Sequence, residues 1–212
     1  MNQEVDTLFD TLNTEQQAAV FNDNSTVLVC AGAGSGKTRI IIARIAYLIQ
    51  SGVDPRTIVA VTFTNKAASE MKQRLRHLFP NLPTLPYIGT FHAFCLQTLK
   101  AYKNVLNISD FSLLDESDQK KLIHDILKRA QLDKQYRPRE VLSYISYSKN
   151  TGTPVSEETF NSNLEMVRDA YEKEKVATYC YDFDDLLLNT LAYMRNNDTF
   201  RQALHDNIHH IL

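Results

Sequence analysis

The first half of the chain alternates short unbroken apolar runs with segments whose apolar residues recur at helical spacing. Residues 25–30 and 57–63 are rich in β-branched and other apolar side chains, as strands buried on both faces are. Between them, residues 38–51 carry apolar side chains three or four positions apart, which predicts a helix. A second helix over residues 64–78, a short strand at residues 87–89 and a third helix follow. Strands and helices that alternate over short links favour a parallel sheet.

The second half of the chain has a different pattern. From about residue 107 to residue 179 the β-branched runs stop, and amphipathic segments that start with polar residues or proline follow one another. Such residues are favoured at helix N-termini, so this stretch predicts capped helices, with a loop at residues 151–154. Residues 208–212 return to a strand-like run. We therefore expect a separate helical unit within an α/β chain.

Charged residues are unevenly distributed, although the formal net charge of the chain is only −2. No Lys or Arg precedes Lys37, whereas basic residues clearly outnumber acidic ones between Lys37 and Asp110. This basic section could follow a phosphate backbone even though the whole chain is slightly acidic. The alternative is that these residues form solvated helix faces.

The composition is that of a globular protein, with 43% hydrophobic residues in a chain of 212. No run approaches the roughly 20 apolar residues that a membrane-spanning helix needs, and residues 1–10 are acidic rather than a basic and apolar signal. We therefore expect a cytoplasmic protein without membrane contact. Cys30, Cys95 and Cys180 are odd in number and far apart, which indicates reduced thiols without a disulfide partner.

A phosphate-binding loop is the strongest chemical signal in the sequence. The segment between the first predicted strand and the first long helix reads Ala31-Gly32-Ala33-Gly34-Ser35-Gly36-Lys37-Thr38. It has the spacing of such a loop, with Ala31 where the usual pattern has its first glycine. Gly34 and Gly36 let backbone N–H groups turn inward around phosphate oxygens, Lys37 would reach the β- and γ-phosphates, and the Thr38 hydroxyl would bind Mg²⁺. The alternative is a Gly-rich turn that happens to precede a helix.

Five segments together resemble the motifs of superfamily 1 DNA helicases of the UvrD/Rep/PcrA type, in the same order. They are the glutamine motif at residues 12–16, the phosphate loop at 31–39, two segments similar to early single-strand DNA motifs at 62–68 and 89–94, and Tyr-Asp-Phe-Asp-Asp-Leu-Leu at 181–187. The resemblance covers essentially the whole chain. It implies ATP and Mg²⁺ as cofactors and single-stranded and duplex DNA as partners.

The resemblance also assigns roles around the nucleotide. Lys37 and Thr38 would act on the phosphates and the metal, in the catalytic positions. Gln16 would read the edge of adenine, because an amide can donate and accept at once, and the Arg39 guanidinium would stack on the ring. The full implied nucleotide-binding set is Gln16, Ala31, Gly32, Ala33, Gly34, Ser35, Gly36, Lys37, Thr38 and Arg39.

A second set of roles concerns DNA. Phe63 would stack on a base, since every base has a π-face and stacking tolerates any sequence. Hydrogen bonds to the DNA would come from Thr64, Asn65, Thr90 and His92. Phe63 also ends a predicted buried strand, so a place in the core is its alternative, and we interpret Phe91 and Phe94 as core residues. The aspartates of residues 182–185 are expected at a helix N-terminus, with no metal role.

The fold implied by the resemblance is a P-loop NTPase (RecA-like) α/β domain. Its parallel sheet would be incomplete and built by residues 1–107 and 185–212, with an all-α inserted subdomain at residues 108–184. In such helicases the run that residues 208–212 resemble is followed directly by an Asp-Glu pair, then by an arginine that stabilises the transferring phosphate and by a second motor domain.

The expectation is therefore the N-terminal portion of an ATP-dependent DNA helicase, working 3′ to 5′ in DNA repair or replication. It would act with C-terminal helicase domains that are missing from this chain, and would hydrolyse ATP negligibly alone. Two alternatives stay open. One is the motor part of a helicase–nuclease subunit, and the other is a non-catalytic module that binds a nucleotide or single-stranded DNA.

Overall fold

The computed structural model describes residues 3–32, 34–151 and 162–212. The loop that the sequence predicts at residues 151–154 lies outside them except for Thr151, which ends a helix. Within the described residues the helices are α1 (Gln3–Asp10), α2 (Thr14–Val20), α3 (Lys37–Gln50), α4 (Asn65–Leu78), α5 (Phe91–Ala101), α6 (Lys103–Leu106), α7 (Glu116–Arg129), α8 (Pro138–Thr151), α9 (Ser162–Ala177), α10 (Phe183–Asn196) and α11 (Asp198–Asn207). The strands there are β1 (Ile58–Thr62), β2 (Tyr87–Thr90), β3 (Ser112–Leu113), β4 (Cys180–Tyr181) and β5 (His210–Ile211).

The chain divides into two compact units, Met1–Phe94 with Gln202–Leu212, and Cys95–Arg201. The division falls inside α5 and α11, whereas the change in sequence composition lies near residues 107 and 185. Composition marks where β-branched runs stop, but it does not show which core each helix face packs against. The assignment of residues 108–184 to an inserted subdomain stays a prediction.

The sheet of the first unit contains β2, β1 and β5 in that order, and all its pairs are parallel. Thr62, the last residue of β1, lies opposite Thr90, the last residue of β2. The two strands therefore end level with each other, and the residues that follow them leave the sheet at the same edge. This parallel sheet flanked by helices confirms the predicted α/β class.

The prediction of a first strand at residues 25–30 is wrong. The structure has no strand there, and the side chain of Leu28 is 87% exposed. A strand needs a neighbour for its backbone N–H and C=O groups, and β5 spans only two residues, which pair with β1. Instead, Ser25, Val27 and Val29 line a cavity of about 720 Å³ together with residues of α3 and β5.

The core of the first unit lies where α3 and α4 pack on the sheet. Its buried members are Ile42, Ile45, Leu48, Ile58, Ala60, Ala68, Met71, Leu75 and Ile88. A smaller cluster packs the segment of α1 and α2 on the start of α3, through Leu12, Val20, Ile40 and Ala43. Both ends of α3 are thus fixed by buried side chains, which sets the position of the loop before it.

The second unit is mainly helical. Side chains of α7, α8 and α9, with Leu132 from the segment between α7 and α8, form its core. The buried members are Ile123, Ile126, Leu127, Leu132, Val141, Ile145, Val167 and Tyr171. The short strands β3 and β4 pair in parallel beside them. Among all helices in the described part of the chain, none combines the length and apolarity that crossing a membrane requires.

Candidate nucleotide and DNA site

The loop before α3 has the backbone that a phosphate cradle needs. Gly34 and Gly36 have φ values of 77° and 88°, in the left-handed region that side-chain-bearing residues avoid. Gly36 is the N-cap of α3, and no side chain accepts a hydrogen bond from the N–H groups of the first turn there. These N–H groups and the positive end of the helix dipole are therefore available to an anion. Ala33 lies outside the described residues.

The Lys37 side chain folds over this loop. Its Nζ donates to the carbonyl oxygens of Ala31 at 3.0 Å and Gly32 at 2.6 Å, and Ser35 Oγ donates to Gly32 O at 2.7 Å. An ammonium group has three donors, so these carbonyls use two of them. Thr38, the residue after Lys37, is exposed and lies in the first turn of α3. An ammonium, a hydroxyl and free N–H groups at one helix end are a donor set that fits Mg²⁺-bound phosphates.

Gln16 ties α2 to the loop. Its Oε1 accepts from the backbone N–H of Asn13 at 3.1 Å within a capping box, and its Nε2 donates to Ser35 O at 3.1 Å. A carboxamide has two N–H donors and two acceptor sites, so one of each remains. The amide is therefore held in place beside the loop and can still form a donor–acceptor pair with a ligand.

Arg39 completes the group on α3. Its Nη2 donates to Thr11 Oγ1, in the segment that joins α1 to α2. A Cβ at Gly36 would stand 3.0 Å from Gln16 Nε2 and 3.9 Å from the Arg39 Cβ. The structure thus brings Gln16, the loop and Arg39 together at the N-terminal end of α3. Sequence reasoning missed Thr11, which carries no motif signal of its own.

Two aromatic residues form a second group at the edge where β1 and β2 end. Phe63 is 91% exposed and Phe91 is 44% exposed, and their ring centroids lie 5.9 Å apart with the rings tilted by 51°. The core alternative for Phe63 is therefore wrong, and so is the interpretation of Phe91 as a core residue. The signal that could have found Phe91 is the parallel register, which places the residues after Thr62 and Thr90 side by side.

The polar residues of the predicted DNA motifs lie around these rings. Thr64 Oγ1 accepts from the N–H of Ala67 at 3.1 Å, and Thr90 Oγ1 accepts from the N–H of Ala93 at 3.2 Å, so these hydroxyls cap α4 and α5. Because capping uses only a lone pair, each hydroxyl keeps its O–H as a donor. Asn65 lies in the first turn of α4 and is exposed, and His92 lies in the first turn of α5 and is partly buried.

The aspartates before α10 belong to a buried ion-pair network in the second unit. Asp182 is the N-cap of α10 and forms a capping box with Asp185, which confirms their expected place at a helix N-terminus. The Nζ of Lys149 lies 2.8 Å from Asp182 and 2.7 Å from Asp185, and that of Lys175 lies 2.7 Å and 2.6 Å from them. Glu172 adds a third carboxylate. These carboxylates are close enough to hold a metal ion, but two ammonium groups already lie among them.

Burial and charge act in opposite directions on this network. Burial alone would raise the pKa of the Asp182 carboxyl, but the ammonium groups of Lys149 and Lys175 outweigh it and hold that pKa well below its usual range. Burial alone would lower the pKa of Lys149, and the two aspartates outweigh it in the same way, so its net direction is upward. Both groups are therefore charged at neutral pH. No motif in the sequence indicates the two lysines, which lie on α8 and α9.

The parallel sheet and the helices that pack on it define the chain as an α/β protein, with a glycine-rich loop at the N-terminus of α3. The family model of the UvrD/REP helicase N-terminal domain matches residues 12–212, so the chain belongs to that family. It is 37% identical over 193 residues to the ATP-dependent DNA helicase PcrA of Staphylococcus aureus, an alignment that covers 87% of this chain and 26% of the relative.

Two further relatives are similar to the chain to the same degree. A Mycoplasma capricolum protein named "Probable DNA helicase II homolog" is 37% identical over 207 residues, which is 92% of this chain and 29% of that protein. PcrA of Staphylococcus epidermidis is 37% identical over 193 residues. The chain thus spans about a quarter of the length of the relatives that it matches.

Proposed function

We propose that this chain is the ATP-binding part of an ATP-dependent DNA helicase, which couples ATP hydrolysis to movement along single-stranded DNA and to duplex unwinding. Membership in the UvrD/REP family and the similarity to PcrA helicases support this proposal. The observation that carries it is the convergence of Gln16, the glycine-rich loop, Lys37 and Arg39 at the N-terminus of α3. By analogy with the family, the helicase works 3′ to 5′ in repair or replication.

In this proposal each side chain at α3 has one task. Lys37 exchanges the carbonyls of Ala31 and Gly32 for the β- and γ-phosphates, and the N–H groups after Gly34 and Gly36 bind phosphate oxygens. Thr38 helps to hold Mg²⁺, which supplies charge neutralisation between the phosphates. The remaining task is recognition of the base, by the free donor and acceptor of Gln16 and the flat guanidinium of Arg39.

DNA is bound at the edge where β1 and β2 end. The exposed rings of Phe63 and Phe91 offer stacking surfaces for successive bases, and four polar neighbours donate to the strand: Thr64, Asn65, Thr90 and His92. Since β1 leads into this edge and α3 packs on the same sheet, nucleotide and DNA would contact one unit of the protein. Binding of the nucleotide could then affect binding of the DNA, and the reverse.

We also propose that the 212-residue polypeptide alone turns over ATP negligibly. A phosphate-loop hydrolase needs an acidic residue at the end of a neighbouring strand to hold the metal and orient water. The residues directly after β1 and β2 are aromatic and polar, Phe63-Thr64 and Phe91-His92. Steady-state hydrolysis, measured with and without single-stranded DNA, tests this point, and clear DNA-stimulated turnover would contradict it.

The binding proposal is tested by the thermal shift that Mg²⁺-ATP causes. A ligand that binds only the folded state raises the melting temperature with concentration, so the wild-type chain should show a dose-dependent shift. Lys37→Ala should abolish it, because the residue that neutralises the phosphates is gone. Lys72→Ala, which removes an exposed positive charge from α4, is the matched control and should keep the shift. An unchanged shift in Lys37→Ala would mean that the loop is not the site.

A further inference from the structure

The segment between α1 and α2 holds the side chain of Arg39. Thr11 Oγ1 donates its proton to Leu8 O at 2.6 Å and accepts from Arg39 Nη2. Since the hydroxyl proton is committed to Leu8, the oxygen can meet the guanidinium only through its lone pairs. Within the described residues Thr11 is the one hydrogen-bond partner of the Arg39 guanidinium. The hydroxyl is therefore an oriented acceptor for that group.

Thr11 itself lies on a fixed frame. The next residue, Leu12, is only 6% exposed and packs with Ile40 and Ala43 of α3. On the other side, the buried Val5 and the partly buried Leu8 anchor α1. The hydroxyl is thus carried by a segment that is packed on the same helix from which Arg39 projects.

Without this partner the guanidinium would have room to move. Arg39 is partly exposed and lines a cavity of about 530 Å³ together with Leu8, Ile42 and Leu78. A long side chain with free rotamers loses conformational entropy when a ligand immobilises it, whereas a side chain that is already held loses less. An arginine fixed beforehand therefore favours any ligand that packs on its flat face.

We propose that Thr11 is a positioning residue that orders Arg39 for contact with the base of the bound nucleotide. This inference rests on the proposed nucleotide site. Within the described residues Thr11 forms hydrogen bonds to Leu8 and Arg39 and none to the loop. Its contribution should therefore appear for ligands that carry a base and not for the polyphosphate alone. It sets how strongly the site prefers a nucleotide to a bare triphosphate.

The experiment compares the affinity of the 212-residue chain for Mg²⁺-ATP and for Mg²⁺-tripolyphosphate, by competition against a fluorescent ATP analogue. Thr11→Val keeps the shape and removes the hydroxyl, and it should raise the Kd of ATP about threefold to tenfold while that of tripolyphosphate stays within about twofold. Thr11→Ser keeps the hydroxyl and should restore the wild-type preference. Thr7→Val is the matched control, because the Thr7 hydroxyl donates only to Gln3 O within α1.

A double-mutant cycle separates positioning from a general loss of structure. Once Arg39→Met has removed the guanidinium, adding Thr11→Val should have no further effect on ATP affinity. Three outcomes would overturn the inference. The two substitutions could lower ATP affinity additively, Thr11→Val could weaken binding of ATP and of tripolyphosphate equally, or Thr11→Val could leave ATP affinity unchanged. If the wild-type chain binds ATP and Lys37→Ala abolishes binding, such a result counts against Thr11 alone. If Lys37→Ala leaves ATP binding unchanged or the wild-type chain binds none, the proposed site and the inference fail together.

Discussion

The side-chain amide of Gln16 lies directly against the backbone of Gly36. A Cβ at position 36 would stand 3.0 Å from Gln16 Nε2, which is tighter than nine in ten real Cβ contacts, and φ at Gly36 is 88°. The same amide donates to Ser35 O, one residue earlier. The glycine therefore serves both the left-handed turn into α3 and the close approach of the residue that we propose to read the base.

A comparison of Gly36→Ala with Gly52→Ala distinguishes the cost of the left-handed backbone from the cost of the contact with Gln16. Both glycines have φ near 90°, so each substitution should cost about 1–2 kcal/mol of the free energy of unfolding. Nothing lies within 4 Å of a Cβ at Gly52, so only Gly36→Ala should also displace Gln16 and weaken ATP binding. Urea unfolding and ATP titration of both variants measure the two effects. Equal ATP affinity in the two variants would contradict a role for the contact with Gln16.

The part of the fold that the sequence predicts well is the part governed by local pattern. β1, β2, α3 and α4 coincide closely with the expected segments, because unbroken apolar runs and helical spacing report burial directly. Residues 25–30 have an equally clear strand pattern but form no strand. A strand also requires a partner edge, and a local pattern does not show whether another segment supplies one. Here the strand-like run at residues 208–212 forms only the two-residue strand β5, which pairs with β1.

The candidate site shows the same limit. Its loop could be predicted because glycine, lysine and threonine must follow one another in the chain. The apolar pattern predicts a core position for Phe91, because apolarity alone does not show whether a ring beside a strand end faces the core or solvent. Lys149 and Lys175 meet Asp182 only through the packing of α8 and α9 on α10. Thr11 likewise acquires its partner from a helix that begins far along the chain.

Phe63→Ala and Phe91→Ala test the DNA edge. Stacking on an aromatic side chain contributes about 1–3 kcal/mol per base, so each variant should weaken binding of single-stranded DNA within that range. Phe63→Ala should hardly change the free energy of unfolding, because that ring is 91% exposed. Fluorescence anisotropy with a labelled oligothymidylate measures the binding.

The control for this pair is Tyr147→Ala, which removes another exposed ring, from α8 in the second unit. It should leave DNA binding within about twofold of wild type, since no DNA role is proposed for it. Full binding by Phe63→Ala would contradict the stacking role. Global unfolding of that variant would show that the ring stabilises the core after all.

Lys175→Met should strongly destabilise the second unit. The Lys175 side chain is 2% exposed, and its ammonium group lies within 3.0 Å of carboxylate oxygens on Glu172, Asp182 and Asp185. Its removal leaves three carboxylates with only the Lys149 ammonium group to compensate them. Breaking a buried pair in this way costs about 3–5 kcal/mol. Lys173→Met, on the exposed side of the same helix, should change stability by less than about 0.5 kcal/mol. Chemical unfolding followed by circular dichroism makes the comparison, and equal stabilities of the two variants would show that the network contributes nothing.

The pH dependence of stability should reveal the charge of Asp182. Because Lys149 and Lys175 lower the pKa of its carboxyl below the ordinary 3.8, the unfolded state takes up this proton first as the pH falls. The contribution of the charged Asp182 carboxyl to the free energy of unfolding is therefore complete above about pH 5 and is lost progressively below about pH 4. Lys149 has a raised pKa, so its contribution is complete below its ordinary value of 10.5 and is lost only as the pH rises above it.

Lys149→Met isolates this effect from the titration of other carboxylates. Its loss of unfolding free energy relative to wild type should stay constant between about pH 5 and pH 9. The loss should shrink below about pH 4, because the Asp182 carboxyl of the variant, which lacks the Lys149 ammonium group, then takes up a proton in the folded state and no longer needs a cation. Lys173→Met should show no such dependence. Urea unfolding of the three proteins across this range provides the measurement. A difference between Lys149→Met and wild type that persists undiminished into acid would mean that Lys149 acts through packing rather than through the charge of Asp182.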